Sequence, residues 1–214
     1  VGKVKIGDDN VFHNSVTVSL PTKMSGLTAI GNRCTFMTSA MIHHDCLIED
    51  EVTMSSNVSA AGNVIIMRGA NLGMNAAIHQ FKVIGSFSMI GMNACIIKGS
   101  IATPGRKLAG VPIRDIGSNT IGLSRSKIKK PMLELELERF ALFEKLKSEL
   151  SSFSISGNIA GVLFVLWYFA YCTICVKIMV GSFQILFCIM HPYSESISIL
   201  YFFATSHSPL RIIL

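Results

Sequence analysis

Apolar residues return at every sixth position along the first hundred residues of the chain. Counting in steps of six from Ile6 to Ile96 gives sixteen positions, and all of them are apolar. In a chain that is half apolar, chance would produce such a run about once in tens of thousands of trials. The residue after the apolar position is repeatedly glycine, and the residue four places after it is usually small.

A strict six-residue period is typical of a parallel β-helix with a triangular cross-section. Neither the 3.6-residue period of an α-helix nor the two-residue period of a β-hairpin keeps this phase. In a triangular β-helix each hexad forms one flat side, three hexads form a coil of 18 residues, and the large aliphatic side chains stack inside. Glycines are expected at the corners, where the backbone needs unusual φ/ψ angles and close approach between coils. We therefore predict an all-β fold over residues 1–103.

The pattern divides the chain into further segments. Residues 20–27 keep the six-residue count but contain Pro21, Lys23 and Gly26, so we predict a loop that bulges from the prism. The repeat fades after Ile96, and the glycines and prolines that follow mark an exit segment at 104–130. Residues 131–150 are rich in good helix formers and begin with Pro131, so we predict a helix there.

Residues 151–214 are a different kind of polypeptide. Residues 1–150 hold 17 of the 19 Lys and Arg and 12 of the 13 Asp and Glu, whereas the remainder holds three charged residues. The apolar run at 159–176 is nearly long enough to span a membrane. We consider two explanations of this tail, a membrane anchor and an artefact of the gene model. Because the sequence begins at Val1 and shows no signal-peptide pattern, we expect a fragment or a processed product.

Composition excludes several function classes. An apolar share of 50% and a charged share of 15% exclude a disordered chain. The net charge of +6 favours an acidic partner, but no DNA- or RNA-binding motif accompanies it, so we expect no nucleic acid. The Cys172–Cys175 pair lacks a second ligand pair, and we predict no metal site and no cofactor. Cys34 and Cys46 fall at small inward positions and are expected in the core.

Three strings within the repeats, together with one after them, are more specific than the period. The strings are A-M-I-H-H-D-C at 40–46, A-A-G-N-V at 60–64 and A-A-I-H-Q-F at 76–81, followed by G-V-P-I-R-D-I-G-S-N-T-I-G-L-S-R at 110–125. Together they resemble the UDP-N-acetylglucosamine 3-O-acyltransferases of lipid A biosynthesis, a family of hexapeptide-repeat acyltransferases. The resemblance covers about residues 1–130. It implies a left-handed coil, whereas the usual crossover rule would favour a right-handed one. The expected fold is a left-handed parallel β-helix of hexapeptide repeats, followed by a helical C-terminal segment.

The resemblance implies a reaction and roles for individual residues. The reaction moves a fatty acyl group from acyl carrier protein to the 3-hydroxyl of UDP-N-acetylglucosamine. His44 matches the general base, Asp45 the acid that polarises it, and Gly62 the backbone N–H that steadies the oxyanion. The spacing adds support, because Gly62 follows His44 by one coil and Gln80 by two, at about 4.8 Å per coil. The positions that match substrate contacts are His79, Gln80, Asn119, Arg125 and Asn63.

The resemblance also implies partners and a location. It implies a homotrimer with active sites between neighbouring prisms, and acyl carrier protein and a UDP-amino sugar as partners. We expect a cytoplasmic enzyme, with an organelle or membrane contact through residues 151–214 as the alternative. Seven basic residues between 106 and 130 form either a solvated rim or a docking site for an acidic carrier or a pyrophosphate.

Departures from the family pattern keep other functions open. The family has His at the positions of Met41 and Asn63, a carboxylate at Ile121 and a basic residue at Ser126, and several coils expected before Val1 are missing. One alternative is another hexapeptide acyltransferase, either the N-acyltransferase of the same pathway or an acetyl-CoA enzyme. Another is a non-catalytic trimeric scaffold, in which His44 is a solvent-facing corner residue. Metal binding by His43, His44 and His79 would need a third ligand across an interface and is not expected.

Overall fold

Short strands recur along the repeats in the structure, which is a computed structural model. It describes residues 2–152 and, beyond them, residues 176–179, 184–190 and 197–202. The strands of the repeats are β1 (Lys3–Ile6), β2 (Val11–Phe12), β3 (Thr17–Val18), β4 (Leu27–Ile30), β5 (Thr35–Phe36), β6 (Met41–Ile42), β7 (Leu47–Ile48), β8 (Thr53–Met54), β9 (Ser59–Ala60), β10 (Ile65–Ile66), β11 (Asn71–Leu72), β12 (Ala77–Ile78), β13 (Val83–Ile84), β14 (Met89–Ile90) and β15 (Cys95–Ile96).

Every third strand belongs to the same parallel sheet, so the chain winds around three flat sides. Sheet I contains β1, β4, β7, β10 and β13, sheet II contains β2, β5, β8, β11 and β14, and sheet III contains β3, β6, β9, β12 and β15. From β4 onward, successive strands of a sheet pair in a register of 18 residues, as Ile48 does with Ile66 and Ile66 with Ile84. The predicted fold class, a left-handed parallel β-helix of hexapeptide repeats, is confirmed.

The first coil pairs with the second across a longer interval. Val18 is opposite Ile42 and Ile6 is opposite Ile30, a register of 24 residues instead of 18. The six additional residues lie in the segment between β3 and β4, which contains no strand. Met24, at its centre, is 78% exposed although it keeps the six-residue count. An insertion of one whole hexad therefore leaves the phase of the sequence pattern unbroken while it loops out of the prism.

The interior is built from the two inward positions of each hexad. From Ile30 to Ile96 every sixth residue is no more than 3% exposed, whereas Ile6 and Phe12 in the first coil are partly exposed. The spacing continues past Ile96, because Ala102 and Leu108 are also buried. The small inward positions include Cys34 and Cys46, which lie in the core as predicted. Burial raises the pKa of the Cys46 thiol to about 12.

Backbone conformation at the corners differs from the sequence-based expectation. The left-handed φ falls on the third residue after the large inward position, which is rarely glycine and is Asp45 (φ 59°) in one coil and Asn63 (φ 59°) in the next. Asn and Asp tolerate this region better than most residues. Gly31 and Gly73, at the repeated glycine position, do not adopt a positive φ. They are required by close approach, because a Cβ on either would lie within 3 Å of the backbone of the next coil.

The exit segment adds two strands to sheet II and leads into two helices. Strand β16 (Arg106–Ala109) extends sheet II in parallel, and β17 (Arg114–Ser118) pairs with it in antiparallel fashion. Helix α1 spans Thr120–Arg125, and helix α2 spans Lys130–Ser152, where the sequence indicates a helix over 131–150. The helical segment expected after the repeats is therefore present.

Helix α2 docks at the corner between sheets I and II through buried charges. The Arg139 guanidinium pairs with the Glu49 carboxylate and donates to Glu136 Oε2 at 2.9 Å. The Ser86 hydroxyl donates to the same Oε2 at 2.6 Å, and the Arg68 backbone N–H donates to Glu49 Oε2 at 2.9 Å. The Glu49 side chain is fully buried. Its charge is therefore compensated only while α2 is in place.

The outward face of sheet I also differs from the other two sheets. Its outward positions include Leu47, Ile65 and Val83, each 4% exposed, whereas the outward positions of sheets II and III include Thr53, Ser59 and Asn71. Phe140 and Phe143 are buried as well, on the helix whose Arg139 pairs with Glu49, one residue beyond β7.

The chain divides into two compact units, Val1–Gly161 and Val162–Leu214. In the second unit the structure describes β18 (Val176–Met179), β19 (Gln184–Met190) and β20 (Ile197–Phe202), which form an antiparallel sheet in that order. Among the described residues, no helix combines the length and the apolar character that crossing a bilayer requires. The apolar run at 159–176, interpreted above as an anchor or an artefact, lies outside the described residues except for Val176.

We expect Arg139→Met to destabilise the protein by about 3–5 kcal/mol, because it leaves two buried carboxylates without their cation. The measurement is the free energy of unfolding in urea. The matched control is Lys130→Met on the same helix, which removes only an exposed pair with Glu134 at 3.9 Å and should change little. Equal unfolding free energies for the two variants would contradict a structural role of the buried pair.

Candidate active site

The corner between sheets III and I gathers the candidate residues of three successive coils. The Asn63 N–H donates to the His44 carbonyl at 3.0 Å, and the Phe81 N–H donates to the Gly62 carbonyl at 3.1 Å. These bonds put Gly62 one coil from His44, and Gln80 one coil further along the same corner. Residues 36 positions apart in the sequence are therefore brought onto one edge of the prism.

His44 and Asp45 form a hydrogen-bonded pair at this corner. Nδ1 of His44 lies 3.0 Å from Asp45 Oδ2, and the imidazole is 38% exposed while the carboxylate side chain is 5% exposed. Burial acts to raise the pKa of Asp45, but hydrogen bonds from Thr22 and His44 outweigh it and hold this pKa below its ordinary value.

Ionisation of Asp45 settles which nitrogen of the neutral His44 ring carries the proton. An ionised carboxylate can only accept hydrogen bonds, so Nδ1 donates to it and Nε2 keeps its lone pair. Nε2 is thus the nitrogen that can take a proton from another molecule. This is the arrangement that an oriented general base requires.

Gly62 lies directly against the imidazole ring. A Cβ on Gly62 would lie 2.5 Å from Nε2 and 2.9 Å from Nδ1 of His44, well inside van der Waals contact. Within the described part of the chain, the Gly62 N–H has no hydrogen-bond acceptor. Glycine therefore lets the ring pack on the backbone and leaves an amide N–H beside the base.

The loop between β3 and β4 contributes residues that the sequence interpretation did not assign. Thr22 donates to Asp45 Oδ2 from its hydroxyl at 2.8 Å and from its backbone N–H at 3.1 Å. The Asp45 N–H donates to Oγ1 of Thr28, which lies in the adjoining β4, at 2.9 Å. The loop lies at the same corner as His44, one coil earlier. An inserted hexad at the same corner, one coil before the His-Asp string, is the signal that could have pointed to it.

The other candidate residues of this corner are more open. Asn63 is half-buried, and His79 and Gln80 are exposed. His79 Nδ1 lies 3.1 Å from the Gln80 carbonyl oxygen, which holds that ring along the corner. These side chains continue the surface beyond Gly62 and are available to a bound molecule.

The structure does not bring Asn119 to this corner. Asn119 is 9% exposed, caps α1 by accepting from the Gly122 N–H, and donates from Nδ2 to the Phe87 carbonyl at 2.9 Å. Phe87 belongs to the corner between sheets I and II, at the other edge of sheet I. Arg125 is exposed at the last turn of α1. Within one chain, Asn119 has a structural role at a corner that does not contain His44.

The seven basic residues between 106 and 130 are mostly exposed. Arg106 among them pairs with Asp115. Arg106 Nε donates to Asp115 Oδ2 at 2.8 Å, and this contact holds the pKa of Asp115 below its ordinary value. Among the described residues, no cluster of three or more His, Cys, Asp or Glu side chains could hold a metal ion.

Comparisons with known proteins agree with the geometry of the repeats. The chain is 34% identical over 140 residues to the acyl-[acyl-carrier-protein]–UDP-N-acetylglucosamine O-acyltransferase of Gloeothece citriformis, a match that covers 65% of this chain and 50% of the relative. This chain thus spans about half the length of the curated relatives it matches. No family model matches it.

Solved structures point the same way. LpxA from Acinetobacter baumannii is 30% identical with a TM-score of 0.57, over 66% of this chain and 54% of that one. The UDP-N-acetylglucosamine acyltransferase of Francisella novicida is 29% identical with a TM-score of 0.57, over 65% of this chain and 51% of that one. The resemblance to UDP-N-acetylglucosamine O-acyltransferases is confirmed over about 65% of the chain.

We expect Gly62→Ala to displace the His44 ring and break its hydrogen bond to Asp45, because a methyl group cannot share the space of the imidazole. The ¹⁵N resonances of the His44 ring report this change, and those of His13 and His79 serve as internal controls. A crystal structure of the variant with the ring in place and Nδ1 still about 3 Å from Oδ2 would show that the contact is not restrictive.

Proposed function

We propose that this chain, related through its repeats to the UDP-N-acetylglucosamine O-acyltransferases, is itself an acyltransferase that moves a fatty acyl group from acyl carrier protein to the 3-hydroxyl of UDP-N-acetylglucosamine. The observation that carries the proposal is the stack of Asp45, His44 and Gly62 at one corner. It supplies an oriented base with a free Nε2 and a backbone N–H beside it. The homology supplies the class of donor and acceptor.

The reaction needs one proton to move twice. Nε2 of His44 takes the proton of the sugar hydroxyl as that oxygen attacks the carbonyl carbon of the thioester. The negative charge that develops on the carbonyl oxygen is stabilised by the Gly62 N–H. When the intermediate collapses, the carbon–sulfur bond breaks and the thiolate takes the proton back from His44. The products are the 3-O-acylated sugar nucleotide and the free thiol of the carrier.

Asp45 supports both proton transfers without exchanging a proton itself. Its carboxylate keeps Nδ1 protonated while Nε2 accepts, and it stabilises the imidazolium that forms. Its burial behind His44 protects the hydrogen bond from water. This division of roles matches the exposure of the two side chains, 38% for His44 and 5% for Asp45.

The substrate-binding and docking roles follow from the same resemblance. Asn63, His79 and Gln80 extend from the base along the corner and are proposed to contact the sugar nucleotide. Arg125 and the neighbouring exposed lysines are proposed to attract an acidic carrier or a pyrophosphate, since both are anionic. Asn119 is proposed to act through the position of α1, because its amide is already bonded. A cytoplasmic location stays a prediction.

We expect His44→Ala to lower kcat by about 10²–10⁴-fold, the usual contribution of a general base. Transfer is measured with an acyl carrier protein thioester and, separately, with the CoA thioester of the same chain. His43→Ala is the matched control. His43 is the neighbour of the proposed base, but its Nε2 lies 3.5 Å from the Ser59 hydroxyl, and it is His44 that contacts Asp45. Intact transfer by His44→Ala would refute the base assignment. Turnover with the CoA donor alone would favour another acyltransferase of this fold.

The proposed sites lie between prisms, so the assembly can be measured as well. We expect light scattering on the full chain to give three times the 23.3 kDa of one chain. A monomeric protein would contradict the proposed homotrimer. A trimer without turnover on either donor would favour a non-catalytic scaffold.

A further inference from the structure

We propose that Thr22 is a positioning residue for this site: it holds the Asp45 carboxylate in place, so that His44 keeps its proton on Nδ1 and presents Nε2 to the substrate. This inference rests on the proposed function, because a positioning role matters only if His44 is the base. The contacts from which it is argued do not depend on the identity of the substrate.

Three donors converge on a single oxygen of Asp45. Oδ2 accepts from the Thr22 hydroxyl at 2.8 Å, from the Thr22 backbone N–H at 3.1 Å and from His44 Nδ1 at 3.0 Å. The opposite oxygen, Oδ1, lies against Gly26, where a Cβ would come within 2.7 Å of it. The carboxylate is therefore turned so that the oxygen bound to Thr22 is the one that meets the imidazole.

The loop that carries Thr22 is itself anchored. The Gly26 N–H donates to the Lys23 carbonyl at 2.9 Å, and the Lys3 N–H donates to the Gly26 carbonyl at 3.1 Å, which ties the end of the loop to β1. Pro21 is buried. Thr28, in the strand β4 that follows the loop, accepts from the Asp45 backbone N–H at 2.9 Å. The inserted loop thus holds the side chain of Asp45, and the adjoining strand holds its backbone.

The electrostatics of the carboxylate depend on these neutral donors. His44 is the one titratable side chain that hydrogen-bonds to Asp45 among the described residues; the buried Cys46 thiol follows it in the sequence, and Thr22 and Thr28 carry no charge. Burial alone would raise the pKa of Asp45, and the Thr22 hydroxyl is the strongest influence that lowers it. Without that hydroxyl the carboxylate loses a donor that favours its charged form, so its pKa should rise.

The sign of the pH effect follows from the direction of this shift. Because the folded pKa of Asp45 lies below its unfolded value of 3.8, the ionised carboxylate stabilises the fold above that value. The contribution is lost as the pH falls through the folded pKa. Removing the Thr22 hydroxyl should therefore make this contribution smaller and narrow the pH range, below 3.8, over which it is lost.

The test compares Thr22→Val, which removes the hydroxyl at nearly constant volume, with Thr22→Ser, which keeps it. The control is Thr53→Val in sheet II, whose hydroxyl has no hydrogen-bond partner in the part of the chain that the structure describes. We expect Thr22→Val to lower the fraction of the Nδ1–H tautomer of His44, measured by ¹⁵N NMR, and to raise the pKa of Asp45, measured by ¹³C NMR. Thr22→Ser and Thr53→Val should match the original protein in both.

Kinetics and a double-mutant cycle separate positioning from a merely structural role. We expect Thr22→Val to lower kcat about tenfold with little change in KM, which corresponds to about 1.4 kcal/mol of transition-state stabilisation. In an Asp45→Asn background the same substitution should have almost no effect on kcat, because the two residues act through one contact.

Two results would overturn the proposal: an unchanged His44 tautomer in Thr22→Val, or an undiminished effect of Thr22→Val in the Asp45→Asn background. The NMR measurements remain informative if the original protein transfers no acyl group. In that case the proposed function fails, while an altered tautomer and a raised Asp45 pKa would still support the positioning role.

Discussion

Hydrogen bonding between successive coils determines where every side chain of the prism lies. Each backbone N–H of a strand donates to a carbonyl of the neighbouring strand, which lies about 4.8 Å along the axis of the prism. The chain forms three flat sides before it comes back to the same sheet. With six residues to a side, each residue from β4 onward is brought beside the one 18 positions later. Ile48, Ile66 and Ile84 follow this rule in the core, and the Asn63 N–H bonded to the His44 carbonyl follows it at the surface. The geometry of the candidate site is a consequence of that register.

The inserted hexad shows how the prism accepts additions without losing register. Six additional residues move the pairing of the first coil from 18 to 24 positions and leave the strands on the same sides. The loop emerges at the corner that carries His44. An insertion elsewhere would not have supplied donors to Asp45. The inserted residues that interrupt the regular winding therefore also enclose the carboxylate of Asp45.

The two edges of sheet I serve different purposes. One edge carries the His-Asp pair and open polar side chains, and the other is occupied by the capped α1 and the charges that dock α2. The apolar outward column of Leu47, Ile65 and Val83 lies between them. Asn119 belongs to the second edge, where both atoms of its amide are used by the fold. The family resemblance predicts that Asn119 contacts the substrate. In the single chain, its side chain instead caps helix α1.

The sequence by itself determined the period, and the period determined the prism, its core and the neighbourhood of His44, Asp45 and Gly62. This was possible because, in a regular β-helix, the position of a residue depends only on its place in the six-residue repeat. The contacts that break the count were decided by tertiary structure: Thr22 on Asp45, and Arg139 between Glu49 and Glu136. Such contacts join segments up to 90 residues apart through loops and a helix. No repeat relates those segments, so only the folded chain brings them together.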